Sequence, residues 1–412
     1  MGVLMSYKQK NKYSFSIPEY PLPQNYLSDI EKAPYTERQY LGQPDMVLLD
    51  DEKTLITVYP IGHGAGPIVM MISRNRGQTW EEKKDIPLSW KSSYETPTLY
   101  KLDLLNGQTK LVMITGLPYW HGNSQGGWRT SISHDKGQTW NEYRTFHPTL
   151  ATGKQNHSLV AMASLIQLRD AKGRKMDKWM GVYHDVNFVN YRTYLTFDSK
   201  GHEQWSAPEP YLVHYRNLEQ EYQICEVGLF RSPDEKRIVG LARTQSHCHR
   251  SVMFYSDDEG ATWTKPKEVT AALLGERHKI IYDPISHRLL ITFREIVLDV
   301  NRSGEIEKDD WVAGDWLAWV GTYEDVIGGK EGQYRIRIAE DWTNSPKSGD
   351  TGYAGVTVTS DGVFLLNSYG HWDREFSSNW TGEVTQDLSY IKLASFKLSQ
   401  VDQALGLLEN SR

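Results

Sequence analysis

SRNRGQTW (Ser73–Trp80), SHDKGQTW (Ser133–Trp140) and SDDEGATW (Ser256–Trp263) share one pattern, S-x-D/N-x-G-x-T-W. A looser fourth copy, TFDSKGHEQW (Thr196–Trp205), falls between the second and third. The closing tryptophans stand at 80, 140, 205 and 263, so the copies are spaced 60, 65 and 58 residues apart. A unit recurring at a period of tens of residues marks a propeller or a solenoid. The three close copies follow the β runs PIVMMIS, WRTSIS and SVMFYS, and each has the chemistry of a hairpin turn. Asp or Asn caps its own backbone, Gly supplies a positive φ, and the Trp plugs the underside of the hairpin. Acidic residues inside these boxes, Asp135 and Asp257, are therefore read as structural.

Continued at the same period, a fifth unit without a box covers about 280–340, with DWLAWVGTYED (Asp315–Asp325) as a strand. A sixth runs from Gly355 to the end, where ASFKL (Ala394–Leu398) is expected to close the ring against an N-terminal strand. The expected fold is all-β, one six-bladed β-propeller over residues 36–405, with residues 1–35 an extension that packs on it or closes it.

Composition narrows the partners. The 46 basic and 52 acidic residues leave a net charge of −6 with no basic stripe, so nucleic acid is not an expected partner. Local arginines can still draw in an anionic substrate. Fourteen Trp and 24 Tyr suit half-buried strand faces and the apolar faces of sugars, which points to a carbohydrate. Cys225 and Cys248 lack CxxC spacing and are expected to be free thiols. The 13 histidines form no HExxH motif, and there is no carboxylate-rich calcium loop; neither metal nor cofactor is expected. The N-terminal apolar run breaks at Tyr7 and no later run is long enough to span a membrane. A cytoplasmic location without membrane attachment is expected as the sequence stands, or a secreted or periplasmic one if a leader has been removed.

The boxes resemble the Asp-box (BNR) repeat of the sialidase, or neuraminidase, superfamily, and the resemblance extends over most of residues 36–400. Its most informative stretch is ICEVGLFRSPDEKRIVGLART (Ile224–Thr244), running into HRSVMFYSDDEGATW. Sialidases carry a segment E-S-Q-V-V-E-L-P-D-G there, followed by a strand ending in Arg. Glu226, seven residues before Pro233, matches the family's catalytic Glu, and Arg243 matches an arginine of its carboxylate clamp. GDTGYAGVTVTSDGVFLLNSYG (Gly349–Gly370) looks like the family's G-Y-S segment, which makes Tyr353 the nucleophile. The resemblance implies a retaining, exo-acting glycoside hydrolase that releases a terminal acidic sugar, sialic acid first. The carboxylate on the anomeric carbon of such a sugar repels an anionic nucleophile, so a phenol deprotonated by a neighbouring Glu serves instead. SSYETPTLY (Ser92–Tyr100) resembles the family's D-P-T segment and puts Glu95 at a ring hydroxyl. Trp120 and Trp128 are candidates to line an acyl or glycerol pocket.

The chain departs from the family at three places. The first clamp arginine belongs in F-R-I-P, where this chain has YLGQPDMVLL with Gly42 at the arginine position. The general acid, an Asp in sialidases, falls in LITVYPIGHGAG, which contains no carboxylate and whose loop has His63 as its titratable group. The third clamp arginine should precede DWLAWVG, where Ala313 or Gly314 stands. Arg294 in LLITFRE, Arg277 beside His278, and Arg38 are candidate replacements. For the acid, His63 and Asp45 are considered together, with His184 and Asp185 of GVYHDVN a second pair. Two alternatives stand beside the leading one. An enzyme of the same fold could act on another sugar, a uronic acid, rhamnose or arabinose, or be a lyase using His63 and Tyr353. A glycan-binding propeller without catalysis is the other.

Overall fold

Six small sheets form in chain order, each an antiparallel meander of strands that neighbour one another in sequence, with two N-terminal strands added to the last two. The computed structural model describes residues 13–33, 40–119, 126–306, 309–343, 349–372 and 389–407. Blade 1 comprises Asp45–Leu48, Leu55–Pro60, Ile68–Ser73 and Glu81–Glu82; blade 2 comprises Thr98–Asp103, Thr109–Gly116, Trp128–Ser133 and Arg144–Phe146. Blade 3 has Ser158–Arg169, Lys175–Asp185, Asn190–Phe197 and Glu203–Trp205, with Glu209–Pro210 pairing beside its third strand. Blade 4 has Ile224–Arg231, Ile238–Thr244, Val252–Ser256 and Lys267–Glu268. In blade 5, Gly275–Tyr282, Leu289–Leu298, Trp311–Gly321 and Tyr334–Ala339 are joined by Glu19–Pro21, which runs parallel to the last of them. Blade 6 draws on both ends of the chain: Ala354–Val358, Phe364–Gly370 and Tyr390–Phe396 are completed by Leu27–Lys32, with Leu27 opposite Ala394. This pairing closes a six-bladed β-propeller and covers the edge that a last blade would otherwise expose.

The apolar core is divided into layers between neighbouring blades. Ile56, Val58 and Met70 of blade 1 meet Leu99, Leu111 and Met113 of blade 2. Met180 and Val182 of blade 3 meet Ile238, Ala242 and Phe254 of blade 4. Leu365, Ile391 and Leu393 of blade 6 return to Met46, Leu55 and Met71 of blade 1. Both faces of every blade are thus apolar, which explains strands such as IVMMIS and FLLNSYG that read as nearly continuous apolar runs.

The repeated boxes are the turns between the third and fourth strands. In each, the serine hydroxyl accepts the glycine N–H at 2.8 Å (Gly77, Gly137, Gly260). The Asn or Asp side chain accepts the N–H of the threonine four residues on, at 2.9, 2.8 and 2.8 Å for Asn75, Asp135 and Asp258. The acid closing the blade 4 turn is therefore Asp258. Asp257, which the sequence reading chose, points outward to Arg237 at 2.6 Å. The three glycines have φ of 85, 88 and 84°, and a Cβ on each would strike the preceding blade. The contacts would be 2.1 Å to Leu393 Cδ2, 2.5 Å to Ile56 Cδ1 and 2.6 Å to Met180 Sδ. The box glycine is required twice over, once for the turn and once for the packing between blades.

Gly77→Ala is expected to lower stability by about 2–4 kcal/mol, combining left-handed strain with overpacking. Gly107, with a φ of 82° but nothing within 4 Å of a new Cβ, isolates the strain alone. Gly107→Ala should cost about 1–2 kcal/mol. Urea unfolding of both variants measures the difference, and equal midpoints would contradict the packing role.

Candidate active site

The inner strands of blades 4 and 5 bulge close to their starts. The pairing register shifts between Cys225 and Gly228 in one and between Glu276 and Lys279 in the other. Glu226 and Arg277 sit in these bulges with φ of 48 and 57°, a conformation costly for residues with a Cβ. Glu226 and Arg277 come within 3.7 Å of each other. Tyr353 lies one residue before the inner strand of blade 6, after Gly352. Gly352 has a φ of 81°, and a Cβ there would stand 2.6 Å from Arg294 Cα, so the turn packs flush against blade 5. Arg243 and Arg294 come from the second strands of blades 4 and 5.

These elements assemble one buried charged cluster. The Tyr353 hydroxyl donates to Glu226 Oε2 at 3.0 Å and accepts from Arg243 Nη1 at 2.7 Å. Arg243 also donates to Glu226 Oε2 at 2.9 Å. Arg294 and Arg277 stand over the Tyr353 ring, 4.9 and 5.7 Å from its centroid. Glu276, 1% exposed, bridges Arg243 at 2.9 Å, Arg294, and His247 at 2.9 Å. His247 stacks on Trp311 with ring centroids 3.7 Å apart. Burial would raise the carboxyl of Glu226, but Arg243 and Arg277 overcome it and hold the group below the usual range. Glu276 is lowered in the same way by Arg243 and Arg294. Burial raises the Tyr353 phenol well above its ordinary value, with Arg243 opposing. At neutral pH the arrangement is a neutral phenol hydrogen-bonded to an ionised carboxylate. A guanidinium is placed to stabilise the phenolate as the proton leaves.

A second cluster adjoins the first through Asp350. Its carboxylate accepts from Tyr40 at 2.6 Å and Tyr369 at 2.7 Å, and lies 3.8 Å from Arg294 and 3.5 Å from His63 Nδ1. His63, on the loop joining the second and third strands of blade 1, keeps 55% of its side chain exposed. Burial lowers its pKa, but the hydrogen bond and charge of Asp350 outweigh this and leave it raised.

Residues 106–274 match the family model described as a BNR repeat-like domain. The fold is also that of the K499G mutant of NanB sialidase from Streptococcus pneumoniae. The TM-score is 0.57 at 11% identity, covering 92% of this chain and 72% of that one. The chain has the BNR-repeat β-propeller fold of the sialidases. An α-L-arabinanase from Penicillium chrysogenum is as similar, with a TM-score of 0.57 at 12% identity over 91% of this chain and 98% of its own. A protein of unknown function from Dyadobacter fermentans has a TM-score of 0.56 at 15% identity, over 89% of this chain and 99% of its own. No curated protein matches the chain.

On this sialidase-type propeller the structure brings together Tyr353, Glu226, Arg243, Arg277 and Arg294 of the residues singled out in the sequence, and sets His63 beside them through Asp350. It also shows why the expected arginine positions are empty. A Cβ on Gly42 would be 2.2 Å from the carbonyl of Gly62, so the loop carrying His63 occupies that place. A Cβ on Gly314 would be 2.6 Å from Glu295 Oε2, and Gly349 packs on the carbonyl of Gly314. Glu95 faces the His63 loop, with Oε1 accepting the Thr96 N–H at 2.8 Å.

Asp45 is not part of either cluster. It lines a cavity of about 580 Å³ between inner strands, where Lys279 at 3.0 Å and the Leu99 N–H at 2.9 Å hold its carboxylate. His184 is buried, kept neutral by burial, and stacked on Phe188 at 5.3 Å. Asp185 spends its Oδ1 on the N–H groups of Asn187 and Val189, at 2.9 and 3.0 Å, capping its own turn. Trp128 is 1% exposed and lies in the layer between blades 2 and 3. Trp120 and Arg38 lie outside the described residues. Cys225 and Cys248 are free thiols. Glu276, His247, Asp350, Tyr40 and Tyr369 were missed in the sequence reading. Two of them had a signal, since Glu276 adjoins Arg277 and Asp350 precedes Tyr353 by three residues.

Removing the Glu276 charge leaves two buried guanidiniums without their shared partner. Glu276→Gln should therefore cost about 3–5 kcal/mol at neutral pH. Because the folded pKa is depressed, this stabilisation is complete above the unfolded value, 4.5, and declines as pH falls below it. The gap between variant and parent in chemical denaturation should narrow with acidification, and a gap independent of pH would rule out the charge as its source.

Proposed function

We propose that the protein is an exo-acting glycoside hydrolase that releases a terminal acidic sugar, a sialic acid first, with retention through a covalent tyrosyl intermediate. The observation that carries this reading is the Tyr353 hydroxyl held 3.0 Å from an ionised Glu226 and 2.7 Å from Arg243. Arg243 and Arg294 keep 12% and 15% of their side chains exposed, and with Arg277 they concentrate positive charge around the phenol. In the proposed reaction these arginines bind the sugar carboxylate. Tyr353 attacks the anomeric carbon as Glu226 takes its proton, and the aglycone leaves. Water then attacks the same carbon, and the phenolate recovers its proton from Glu226.

A second reading is favoured by Glu276, which already engages Arg243 and Arg294 and so reduces the charge left for a substrate carboxylate. On that reading the enzyme takes another terminal sugar, such as a uronic acid, rhamnose or arabinose unit.

Hydrolysis of a 4-methylumbelliferyl sialoside distinguishes the readings. The parent should release fluorophore, and Tyr353→Phe and Glu226→Gln should each lose about 100-fold or more in kcat. An inactive parent that hydrolyses a uronide or deoxysugar glycoside would favour the second reading. A Tyr353→Phe variant that keeps full turnover would overturn the tyrosyl mechanism. Glycan binding without turnover, unchanged in that variant, would mark a binding propeller.

A further inference from the structure

The Tyr–Glu pair accounts for the nucleophile but not for the proton that the departing aglycone oxygen requires. His63 is the half-exposed titratable group adjoining the cluster, and its surroundings assign its two nitrogens different tasks. Nδ1 faces inward, 2.8 Å from the Tyr40 hydroxyl and 3.5 Å from Asp350 Oδ2. Tyr40 donates its hydrogen to Asp350 at 2.6 Å, so its oxygen accepts from Nδ1–H. Gln43 braces the loop, accepting the Gly64 N–H at 2.7 Å, while its Nε2, 3.3 Å from His63 Nδ1, donates to the Tyr369 hydroxyl at 3.3 Å. Fixing the hydrogen on Nδ1 leaves Nε2 as the nitrogen that gains and loses a proton. The charged groups facing the ring are Asp350 of the turn before blade 6, Arg294 of blade 5 and Glu95 of blade 2. The two carboxylates favour the imidazolium and Arg294 opposes it. Asp350 also lies 3.8 Å from Arg294, which covers the Tyr353 ring, so His63 and the phenol are linked through two residues.

We propose that His63 is the general acid and base of the reaction and that Asp350 and Tyr40 are its positioning residues, an assignment that rests on the acidic-glycoside reading above. In the first half, imidazolium Nε2–H gives its proton to the glycosidic oxygen. The bond from that oxygen to the anomeric carbon breaks while the bond to Tyr353 Oη forms. In the second half, neutral Nε2 takes a proton from the attacking water, the tyrosyl bond breaks, and the imidazolium is restored. The loop that fills the first arginine position is the one that carries this acid.

The test compares two leaving groups in parent, His63→Gln, Asp350→Asn and Tyr353→Phe proteins. Methylumbelliferone departs as a stable phenolate and needs little protonation, whereas methanol from a methyl sialoside needs a full proton. His63→Gln should lose about 10²–10⁴-fold in kcat/KM on the methyl sialoside, and at least about tenfold less on the aryl one. Tyr353→Phe should lose activity on both alike. Asp350→Asn should shift the alkaline limb of the pH profile to lower pH, because the imidazolium loses its principal stabilising charge. A partly unfolded variant loses both substrates in proportion, so the ratio between them is insensitive to folding. Equal losses for His63→Gln in an active parent overturn the acid assignment alone, as does an unmoved alkaline limb in Asp350→Asn. A parent that cleaves neither sialoside sinks the acidic-sugar reading and this proposal with it.

Discussion

A four-stranded blade with apolar side chains on both faces can bury them only between two neighbours, and a row of such blades has no unburied end only when it closes on itself. That constraint organises the molecule. It accounts for the core being split into layers such as Ile56 and Val58 against Leu111 and Met113. It accounts for box glycines with no room for a Cβ, because each turn seats on the blade before it. It also accounts for Leu27–Lys32 crossing to pair with Tyr390–Phe396. Closure aligns the starts of the inner strands around one end of the axis, where the charged cluster is built from blades 4, 5 and 6 and blade 1 is brought back to set His63 beside it.

At that end the problem becomes electrostatic. Glu226, Glu276, Arg243, Arg277 and Arg294 are all largely or wholly buried, and buried charge is tolerated only when compensated and hydrogen-bonded. Glu276 compensates Arg243 and Arg294 together, while Arg243 holds both Glu226 and the Tyr353 oxygen. The network keeps the carboxylates ionised and the phenol neutral at the same pH. Left-handed backbone at Glu226 and Arg277 adds strain that the surrounding sheets must offset, about 1–3 kcal/mol each.

The departures from the sialidase pattern form a connected set. Gly42 has no side chain because the backbone at Gly62 passes 2.2 Å from where a Cβ would be, and that same loop presents His63. Gly314 is closed off by Glu295 and the turn at Gly349, and that same turn presents Asp350 to His63 and Arg294. Two absent arginines and an absent aspartate thus coincide with two loops that meet each other. Arg277 and Arg294 stand over the phenol from blade 5 instead.

The sequence by itself determined the repeat, the blade count and the nature of the turns. Each turn depends on residues within eight positions of one another, because a capped turn with an obligatory glycine is a local property, and the count follows from copies spaced 60, 65 and 58 residues apart. The resemblance to sialidase segments singled out Tyr353, Glu226 and Arg243, and the fold brings these three within hydrogen-bond distance of one another. Only the tertiary structure decided which arginines face Tyr353, that Glu276 joins two of them, that Asp45 belongs to Lys279, and that Asp350 meets His63. Those pairings span tens to hundreds of residues and follow from bulges in the inner strands, and strand alternation read from sequence cannot reveal them. A bulge turns a side chain from one face to the other without leaving a mark in the residue pattern.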